Sequence, residues 1–478
     1  MLFVDDYHIH SSQDVQRIYH QLEKHPDNPI HFFSEPWGTQ CIDHGGYERD
    51  PQTGDFVLWY FTKEVERGDP RDSVFLCQAR SSDGLYWDVP SLGVHEFRGS
   101  RDNNICVVNF SKSGVYPGPH ELTGPCIARD PLDPDPNGRY KMAVWRYNRD
   151  LDPETGKRLY GLKDTSHPTG LYTSTSPDGI HWPAHERLVH THADGFGDTY
   201  TFMVDTLRRG YRLFGKRMYW DREHDMWIRL RHTTWSPDFV SWSPFVPILP
   251  IDEHDRPNDQ IYMNNGFVYD DMYLGFARIL HAHDDWSMDI DLAYSRDGEG
   301  WIRPSEARGI LPRASEGETW DSGRVAVFPS GPIRNGDRLY FYHTAEAQYH
   351  SPAPRRELPP GIEKPRGLCL ATLRVDGFAG MQADGSGRIR TRPLFMERPQ
   401  LQINVDAGQG SCRVGLLDEA GFPIAGYTPE DMEPIQADTV DHRLRWREHD
   451  SVTDQYGRWL SLDIRLEQAE LFAVRNGS

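Results

Sequence analysis

Apolar and polar residues alternate with a period of two along most of the chain, which is the pattern of a half-buried β-strand. Strands of this kind are predicted at residues 74–80, 171–175, 228–234 and 289–294. A more aromatic strand lies upstream of each, at residues 57–61, 140–145, 211–214 and 272–276, with a further one at 339–342. A helical period is found only over residues 15–22. The pattern therefore predicts an all-β fold.

A repeated turn motif, S-x-D-[GF]-x-x-W, follows each of these four pairs of strands. Its aspartates are Asp83, Asp178, Asp238 and Asp297, at steps of 95, 60 and 59 residues, and Asp376 belongs to a degenerate fifth copy. In such a turn the aspartate accepts backbone N–H bonds, glycine permits a positive φ, and the tryptophan packs between sheets. Strands and turns at this spacing are typical of a β-propeller, and five units fit between residues 36 and 380.

The repeat stops after Gly380, which divides the chain into two predicted domains. Residues 1–389 are predicted to form a five-bladed β-propeller catalytic domain, with residues 1–35 as a short lead-in. Further alternating strands are predicted at residues 402–406, 411–417 and 460–466. Residues 390–478 are therefore predicted to form a small C-terminal β-sandwich.

The composition narrows the classes of function. Lysine and arginine total 52 against 72 aspartates and glutamates, and this net charge of −20 disfavours nucleic acid and anionic membrane surfaces as partners. The apolar runs are far shorter than the roughly 20 residues of a transmembrane helix. The chain starts without a signal-like segment, so we expect a cytoplasmic protein. The six cysteines are isolated from one another and are expected to be free thiols.

This organisation resembles a known group of enzymes. The five repeat units, the aspartate turns and the trailing strands resemble the five-bladed propeller glycoside hydrolases, a group that includes families 32, 43, 68 and 117. Four segments are similar to uncharacterised bacterial relatives of the family 32 and 43 N-terminal domain: LFVDDYHI at 2–9, AYSRDG at 293–298, WDSG at 320–323 and LATLRVDGF at 370–378. The resemblance implies a propeller glycosidase and leaves the substrate open, because propellers carry many functions.

Candidate catalytic acids follow from the register of the repeat. The first strand of each propeller blade lines the central funnel, so reactive groups are expected where these strands begin. Asp43, Asp198, Asp259 and Asp321 take this position in four of the five units. Glycosidic cleavage needs one protonated and one ionised carboxyl group, and several acids in one funnel push their pKa values apart. The alternative for each residue is an ordinary turn-forming aspartate.

The second unit lacks such an aspartate, and the inner candidates there are Glu121 and Thr123. The Arg-Asp-Pro sequence at 129–131 matches a motif of family 32 enzymes. Its aspartate aligns with Asp50 and Asp205, which follow the first strand, so we assign it to a turn. For the proton donor, Glu318 in a loop at the predicted funnel rim is the first candidate and Glu121 the second. The alternative for Glu318 is a solvated loop acid.

Candidate substrate-binding residues belong to the same strand starts and their neighbours. Trp320, Tyr262 and Tyr47 offer aromatic faces on which a sugar ring can stack, and Arg278 and Arg324 can bind ring hydroxyls or a carboxylate. The alternative for all five is packing in the core or at the rim.

A metal site is not predicted. His281 and His283 alternate on a strand and share one face, but no third ligand is fixed by the spacing, and a solvated loop is the preferred interpretation. No cofactor is required, and a structural divalent cation in the funnel stays open as an alternative.

The sequence thus predicts a cytoplasmic glycoside hydrolase, exo-acting on a short oligosaccharide or glycoside such as a fructosyl or arabinosyl furanoside. A transglycosylase or phosphorylase on the same fold is one alternative, although a phosphorylase needs basic residues converging on the funnel and the inner strands look acid-rich. A non-catalytic sugar-binding propeller is the other. The expected partner is a small carbohydrate, and the C-terminal domain either caps the propeller or forms the interface of a homo-oligomer.

Overall fold

The period-two alternation of the sequence becomes β-strand throughout the computed structural model. The structure describes residues 1–38, 41–63, 74–108, 120–148, 150–151, 158–159, 168–183, 187–222, 225–282, 284–314, 320–350 and 366–477. Within these ranges there is no α-helix, and the all-β class is confirmed. Five 3₁₀ turns occur, at Pro136–Gly138, His192–Asp194, Ser305–Ala307, Pro429–Asp431 and Thr453–Gln455. None of these short helices is long and apolar enough to cross a membrane.

The strands of the first half of the described chain are β1 (Ile9–Gln13), β2 (Gln16–Tyr19), β3 (Glu23–Lys24), β4 (Ile42–Arg49), β5 (Phe56–Lys63), β6 (Val74–Ser81), β7 (Ile105–Val108), β8 (His120–Arg129), β9 (Tyr140–Asn148), β10 (Asp150–Leu151), β11 (Arg158–Leu159), β12 (Gly170–Ser176), β13 (Arg187–Thr191), β14 (Phe196–Asp205), β15 (Gly210–Asp221) and β16 (Met226–Ser236).

The strands of the second half are β17 (Val246–Ile248), β18 (Asp259–Tyr269), β19 (Met272–His281), β20 (Met288–Ser295), β21 (Trp301–Ile302), β22 (Arg324–Val327), β23 (Ile333–Asn335), β24 (Arg338–Glu346), β25 (Gly367–Arg374), β26 (Ala379–Thr391), β27 (Leu394–Phe395), β28 (Gln400–Asp406), β29 (Ser411–Leu417), β30 (Asp438–Arg443) and β31 (Trp459–Gly477).

The segment 15–22, predicted as a helix, instead contains strand β2 (Gln16–Tyr19) and no helix. It pairs antiparallel with β26, where Gln16 lies opposite Gln382 and Tyr19 opposite Ala379. Its backbone hydrogen bonds are made to a strand more than 350 residues further along the chain. A partner at that distance leaves no local pattern, so the tertiary pairing overrides the weak helical period.

The described strands can be divided into five successive sets: β4-β5-β6-β7, β8-β9-β12-β13, β14-β15-β16-β17, β18-β19-β20-β21 and β22-β24-β25-β3. Parallel pairing of β4 with β8 joins the first two sets into one sheet, and parallel pairing of β20 with β22 joins the last two. The last set is completed by a strand from near the N-terminus, with Lys24 opposite Ala371. Consecutive antiparallel sets of this size are the arrangement of propeller blades. The blade count of five stays a prediction.

The repeated turns are formed as predicted. In the first copy Asp83 accepts the backbone N–H groups of Leu85 at 2.8 Å and Tyr86 at 2.9 Å, and the Ser81 hydroxyl accepts that of Gly84 at 2.8 Å. The other three copies repeat the aspartate bonds around Asp178, Asp238 and Asp297. The motif therefore fixes the connection that ends the third strand in the first four sets.

A second periodic contact joins neighbouring sets. A carboxylate at or just beyond the end of the first strand accepts the hydroxyl of a tyrosine on the second strand of the next set, and the pairs are Glu48 with Tyr140 (2.7 Å), Asp130 with Tyr211 (2.5 Å) and Asp205 with Tyr273 (2.8 Å). The Arg-Asp-Pro aspartate is thus a buried structural residue in a turn, as its alignment predicted.

The described chain forms two compact units, with the larger spanning Glu23–Ile333 and Tyr340–Thr372 and containing the five strand sets. The smaller unit consists of Met1–Leu22, Arg334–Leu339 and Leu373–Ser478, and its strands β26, β28, β29 and β31 surround a core of buried aliphatic residues. The predicted domain boundary at 389/390 falls inside β26 of this smaller unit.

Candidate active site

A cavity of about 190 Å³ lies in the larger unit where the first strands of the five sets meet. It is lined by residues of β4, β8, β14, β18 and β22, together with neighbours on β19, β20 and β24, and by Arg366. Four of the five inner strands change register at the positions that line it: between 42 and 45, 123 and 126, 196 and 200, and 261 and 263. Such β-bulges redirect side chains beside functional sites.

Asp43 lies in the irregular stretch of β4 and lines this cavity. Its side chain is buried and accepts a hydrogen bond from the Arg278 guanidinium on β19. Burial alone would raise the pKa of Asp43, but the charge and hydrogen bond of Arg278, with the charge of Arg366, outweigh it and hold the pKa well below the ordinary value. Asp43 is therefore ionised at neutral pH.

His44 follows Asp43 in the same bulge and was not singled out from the sequence. Its Nδ1 is buried without a hydrogen-bond partner among the described residues. Burial lowers the pKa of His44, and the charges of Arg278 and Arg366 lower it further against the opposing effect of Asp43. The imidazole is therefore neutral and cannot act as a cationic acid.

Asp198 lies in the irregular stretch of β14 and is the more accessible carboxylate, with 37% of its side chain exposed. It accepts hydrogen bonds from the Lys216 ammonium at 2.5 Å and from the Tyr147 hydroxyl. Burial of the carboxylate raises its pKa, but the charge and hydrogen bond of Lys216 outweigh that effect and lower the pKa to about 2. This side chain is therefore an ionised acceptor facing the cavity.

Glu346, at the end of β24, is a third carboxylate of the cavity that the sequence did not reveal. Arg366 binds it through a two-pronged contact, Nε to Oε2 at 2.8 Å and Nη2 to Oε1 at 2.7 Å. Arg324 contacts the same Oε1. The predicted binding residues Arg278 and Arg324 thus lie at the cavity, joined by an unpredicted third guanidinium.

This arrangement corrects the expectation of an acid-rich funnel. Among the described residues the cavity is lined by three arginines and three carboxylates, and Lys216 adds a further cation at Asp198. The second strands β15 and β19 and the segment before β25 supply most of these cations, whereas the expectation considered the inner strands alone. The argument against a phosphorylase therefore no longer holds.

Tyr262, in the bulge of β18, is the predicted aromatic residue that lines the cavity. The guanidinium of Arg229 lies 5.5 Å from its ring centroid and that of Arg278 lies 5.9 Å away. Its hydroxyl is 3.3 Å from Nε2 of His350. The ring is thus fixed in place by cations and a hydrogen bond beside the cavity.

Asp259 does not line the cavity, although it begins an inner strand. Its carboxylate contacts Nδ1 of His281 at 2.7 Å and accepts the backbone N–H of Arg256 at 3.0 Å. His281 in turn contacts Asp289 at 2.9 Å through Nε2. The histidine expected in a solvated loop is thus a buried bridge between two carboxylates, and His283 lies outside the described residues.

Three further predicted residues also lie away from the cavity lining. Asp321 is buried and pairs with the Lys24 ammonium at 2.5 Å. Trp320 is half-buried beside it. Tyr47 is buried, with its ring against Phe328 and Tyr342.

The side chains of both predicted proton donors lie outside the described part of the structure. Glu318 lies outside the described residues, and for Glu121 only the backbone in β8 is described.

Potential metal ligands gather at one place in the described chain. Asp252, Glu253 and His254 lie close together on an exposed turn, outside the cavity lining. Asp252 is already bound by Arg308 at 2.7 Å. The turn gives no support to a cation in the funnel.

No protein-family model and no curated protein matches the chain. Solved structures do match: one described as a glycoside hydrolase has a TM-score of 0.47 at 13% identity, covering 75% of this chain and 92% of that one. The β-1,2-mannobiose phosphorylase of Listeria innocua has a TM-score of 0.45 at 11% identity, covering 75% and 98%. The family 32 β-fructofuranosidase of Bombyx mori has a TM-score of 0.41 at 11% identity, covering 96% and 94%. All three similarities are weak, and no residue role is carried over from them.

Proposed function

We propose that the protein cleaves a glycosidic bond in the central cavity, with Asp198 as the ionised carboxylate of the reaction. The observation that carries this proposal is the pair of ionised carboxylates, Asp43 and Asp198, placed at β-bulges of two inner strands around one cavity. Glycosidic cleavage uses one ionised carboxylate as base or nucleophile and one protonated carboxyl as acid.

Asp198 suits the role of base or nucleophile better than Asp43. Its carboxylate is partly exposed at the cavity and stays ionised, because Lys216 and Tyr147 stabilise the charged form. Asp43 is held by Arg278 in the buried wall, so we assign it to the stabilisation of positive charge that develops on the sugar ring in the transition state. The proton donor in this proposal is Glu318, with Glu121 as the second candidate.

The size of the cavity supports action at a chain end. At about 190 Å³ it is smaller than the roughly 300–1,000 Å³ of pockets that enclose a drug-sized ligand, and it accommodates one sugar unit. Tyr262 offers its ring to that sugar, since aromatic faces bind the apolar side of a sugar ring. We therefore propose an exo-acting glycosidase for a short glycoside, with furanosides as the first substrates to try.

Purified protein incubated with a panel of aryl pyranosides and furanosides tests this proposal through the release of the aryl group. Release from one member, with a bell-shaped dependence of kcat/KM on pH, is the expected result. The anomer formed first, followed by NMR, gives the stereochemistry, since retention requires carboxyls roughly 5–5.5 Å apart and inversion roughly 6.5–9.5 Å. Folded protein that binds sugars in the cavity and cleaves none would favour the non-catalytic alternative.

A further inference from the structure

The charges at the central cavity do not cancel. Its described lining carries the guanidinium groups of Arg278, Arg324 and Arg366 against three carboxylates, and one of these, Asp198, is already neutralised by Lys216. Asp43 is neutralised by Arg278. One carboxylate, that of Glu346, is then left for two guanidinium groups, in a chain whose overall charge is −20.

The surplus positive charge lies at Arg324 and Arg366. Both approach the same oxygen of Glu346, and the remaining described contact of Arg324 is from Nε to the Gln348 carbonyl at 3.2 Å. Burial and the charge of Arg366 together lower the pKa of Arg324 to about 9. Arg324 and Arg366, each with 19% of its side chain exposed, share one carboxylate and repel each other, and an additional anion would relieve that repulsion.

A further cation lies directly behind the cavity wall. Arg231, 1% exposed, donates to the backbone carbonyls of Ile261 at 3.1 Å and Thr199 at 3.0 Å. Its Nη2 is buried and has no hydrogen-bond partner within the described ranges. Thr199 itself lines the cavity, so this charge adds to the positive potential there.

We propose that the cavity binds an anionic group of its ligand, held by Arg324 and Arg366. A guanidinium presents N–H donors in a planar fork that matches the oxygens of a carboxylate or a phosphate. The group is either the carboxylate of an acidic sugar or inorganic phosphate. This inference shares one assumption with the proposed function, namely that the glycoside binds in this cavity.

The two sources of the anion predict different reactions. With an acidic sugar, the oxygen of a water molecule bonds to the anomeric carbon and the water gives one proton to a carboxylate of the site. The glycosidic C–O bond breaks, and the leaving oxygen takes one proton from the catalytic acid. With phosphate, an oxygen of the hydrogen phosphate ion forms the new bond to the anomeric carbon and the same C–O bond breaks. The leaving oxygen takes up the proton of that ion, and the product is a sugar 1-phosphate. Product analysis therefore identifies the source of the anion.

Isothermal titration tests the binding directly. Inorganic phosphate, glucuronate and galacturonate are titrated into the protein alongside glucose and galactose as neutral controls. We expect at least one of the anions to bind and to bind at least tenfold tighter than the neutral sugars. Arg324→Gln should weaken that binding at least tenfold. The control is Arg208→Gln, which replaces an exposed arginine that follows β14 and pairs with Glu299. This change should leave anion binding unchanged.

Arg366→Lys serves as a second variant. It keeps the positive charge but removes the planar pair of N–H donors, so it should also weaken anion binding. The inference is overturned if folded wild-type protein binds none of the anions, or if the folded variants bind them as wild type does. Cleavage of a neutral glycoside at a rate unaffected by phosphate and uronates would overturn this inference alone. Arginine-dependent anion binding without cleavage of any glycoside would support it while contradicting the proposed function.

Discussion

The ionisation of Asp198 is set by its neighbours on two other strands. Lys216 lies in the stretch of β15 where the pairing with β14 is irregular, and its ammonium reaches the carboxylate at 2.5 Å. Tyr147, on β9, donates from its hydroxyl. A cation beside a carboxylate lowers its pKa by about 1–3 units, so Lys216 decides over what range of pH Asp198 can act.

Replacing this lysine should change the pH profile of the proposed glycoside cleavage. In Lys216→Met the pKa of Asp198 should rise by about 1–3 units, because the stabilising cation is lost. Since Asp198 must be ionised, the acid limb of kcat/KM moves to higher pH by the same amount, whereas Lys216→Arg keeps the wild-type limb. A pH–rate profile of the three proteins measures this. An acid limb that stays in place in Lys216→Met would rule out Asp198 as the required base.

Some residues that line the cavity were candidates from the sequence, and others were missed for a definite reason. Asp43 and Asp198 share a register in the repeat, and both line the cavity. Asp259 shares that position along its strand, but its carboxylate contacts His281 instead. Glu346 and Arg366 come from outside the inner strands, so their approach to the cavity depends on tertiary packing that no repeat records.

At the scale of strands, irregular pairing places the reactive groups. In β4 the bulge at Asp43 is followed by Gly45, whose φ of +112° is a conformation that side chains rarely adopt. A Cβ at this position would lie 2.0 Å from the backbone oxygen of Trp59 on β5. The chain therefore requires glycine where β4 bends to point Asp43 inward.

Gly45→Ala should destabilise the protein by about 2–4 kcal/mol, because backbone strain adds to an overlap with backbone atoms. Urea denaturation measures the loss. Gly54→Ala is a matched control, since Gly54 also has a positive φ, +81°, but a Cβ added there would have no atom within 4 Å. Gly54→Ala should lower the free energy of unfolding by about 1–2 kcal/mol. Equal losses in the two variants would show that the close approach at Trp59 contributes nothing.

The ends of β18 and β19 are joined by an ionic bridge, with His281 between Asp259 and Asp289. Burial alone lowers the pKa of His281, but the hydrogen bonds and charges of the two aspartates outweigh it and raise the pKa to about 9. In the unfolded chain a histidine titrates near roughly 6.5. The stabilisation from this bridge is therefore fully present below about pH 6.5 and is lost as the pH rises through about 9.

Wild-type protein should consequently lose on the order of 2 kcal/mol of stability between about pH 6.5 and pH 9.5, and His281→Gln should lack this component. Urea denaturation at intervals across that range measures it. His254→Gln, at an exposed histidine, should follow the wild-type curve. A His281→Gln curve parallel to wild type would contradict the bridge.

Element prediction succeeded where the pattern was local and repeated. The aspartate turns carry all their hydrogen-bonding groups within a few residues, so their geometry could be predicted from four copies of one motif. Strands β2 and β3 have partners in β26 and β25, far along the chain. Their identity depends on that pairing, which explains why residues 15–22 were predicted as a helix.

At the scale of the whole molecule, overall charge and local charge differ in sign. The chain carries −20, yet the described residues around the cavity give it a surplus of cations. The net charge is a sum over the whole chain, so it does not show that the fold brings a few arginines together at the cavity. For this reason the character of the ligand could not be predicted from the net charge.

The measurement that most directly tests the central claim is kcat/KM of Asp198→Asn on a glycoside that the wild-type protein cleaves. This change removes the ionised carboxylate while keeping its size, and we expect a loss of at least about 10²–10⁴-fold, the usual contribution of a positioned base. The control is Asp225→Asn, which changes an exposed aspartate of the larger compact unit and should retain wild-type activity. Folded Asp198→Asn protein that cleaves the glycoside at the wild-type rate would contradict the account.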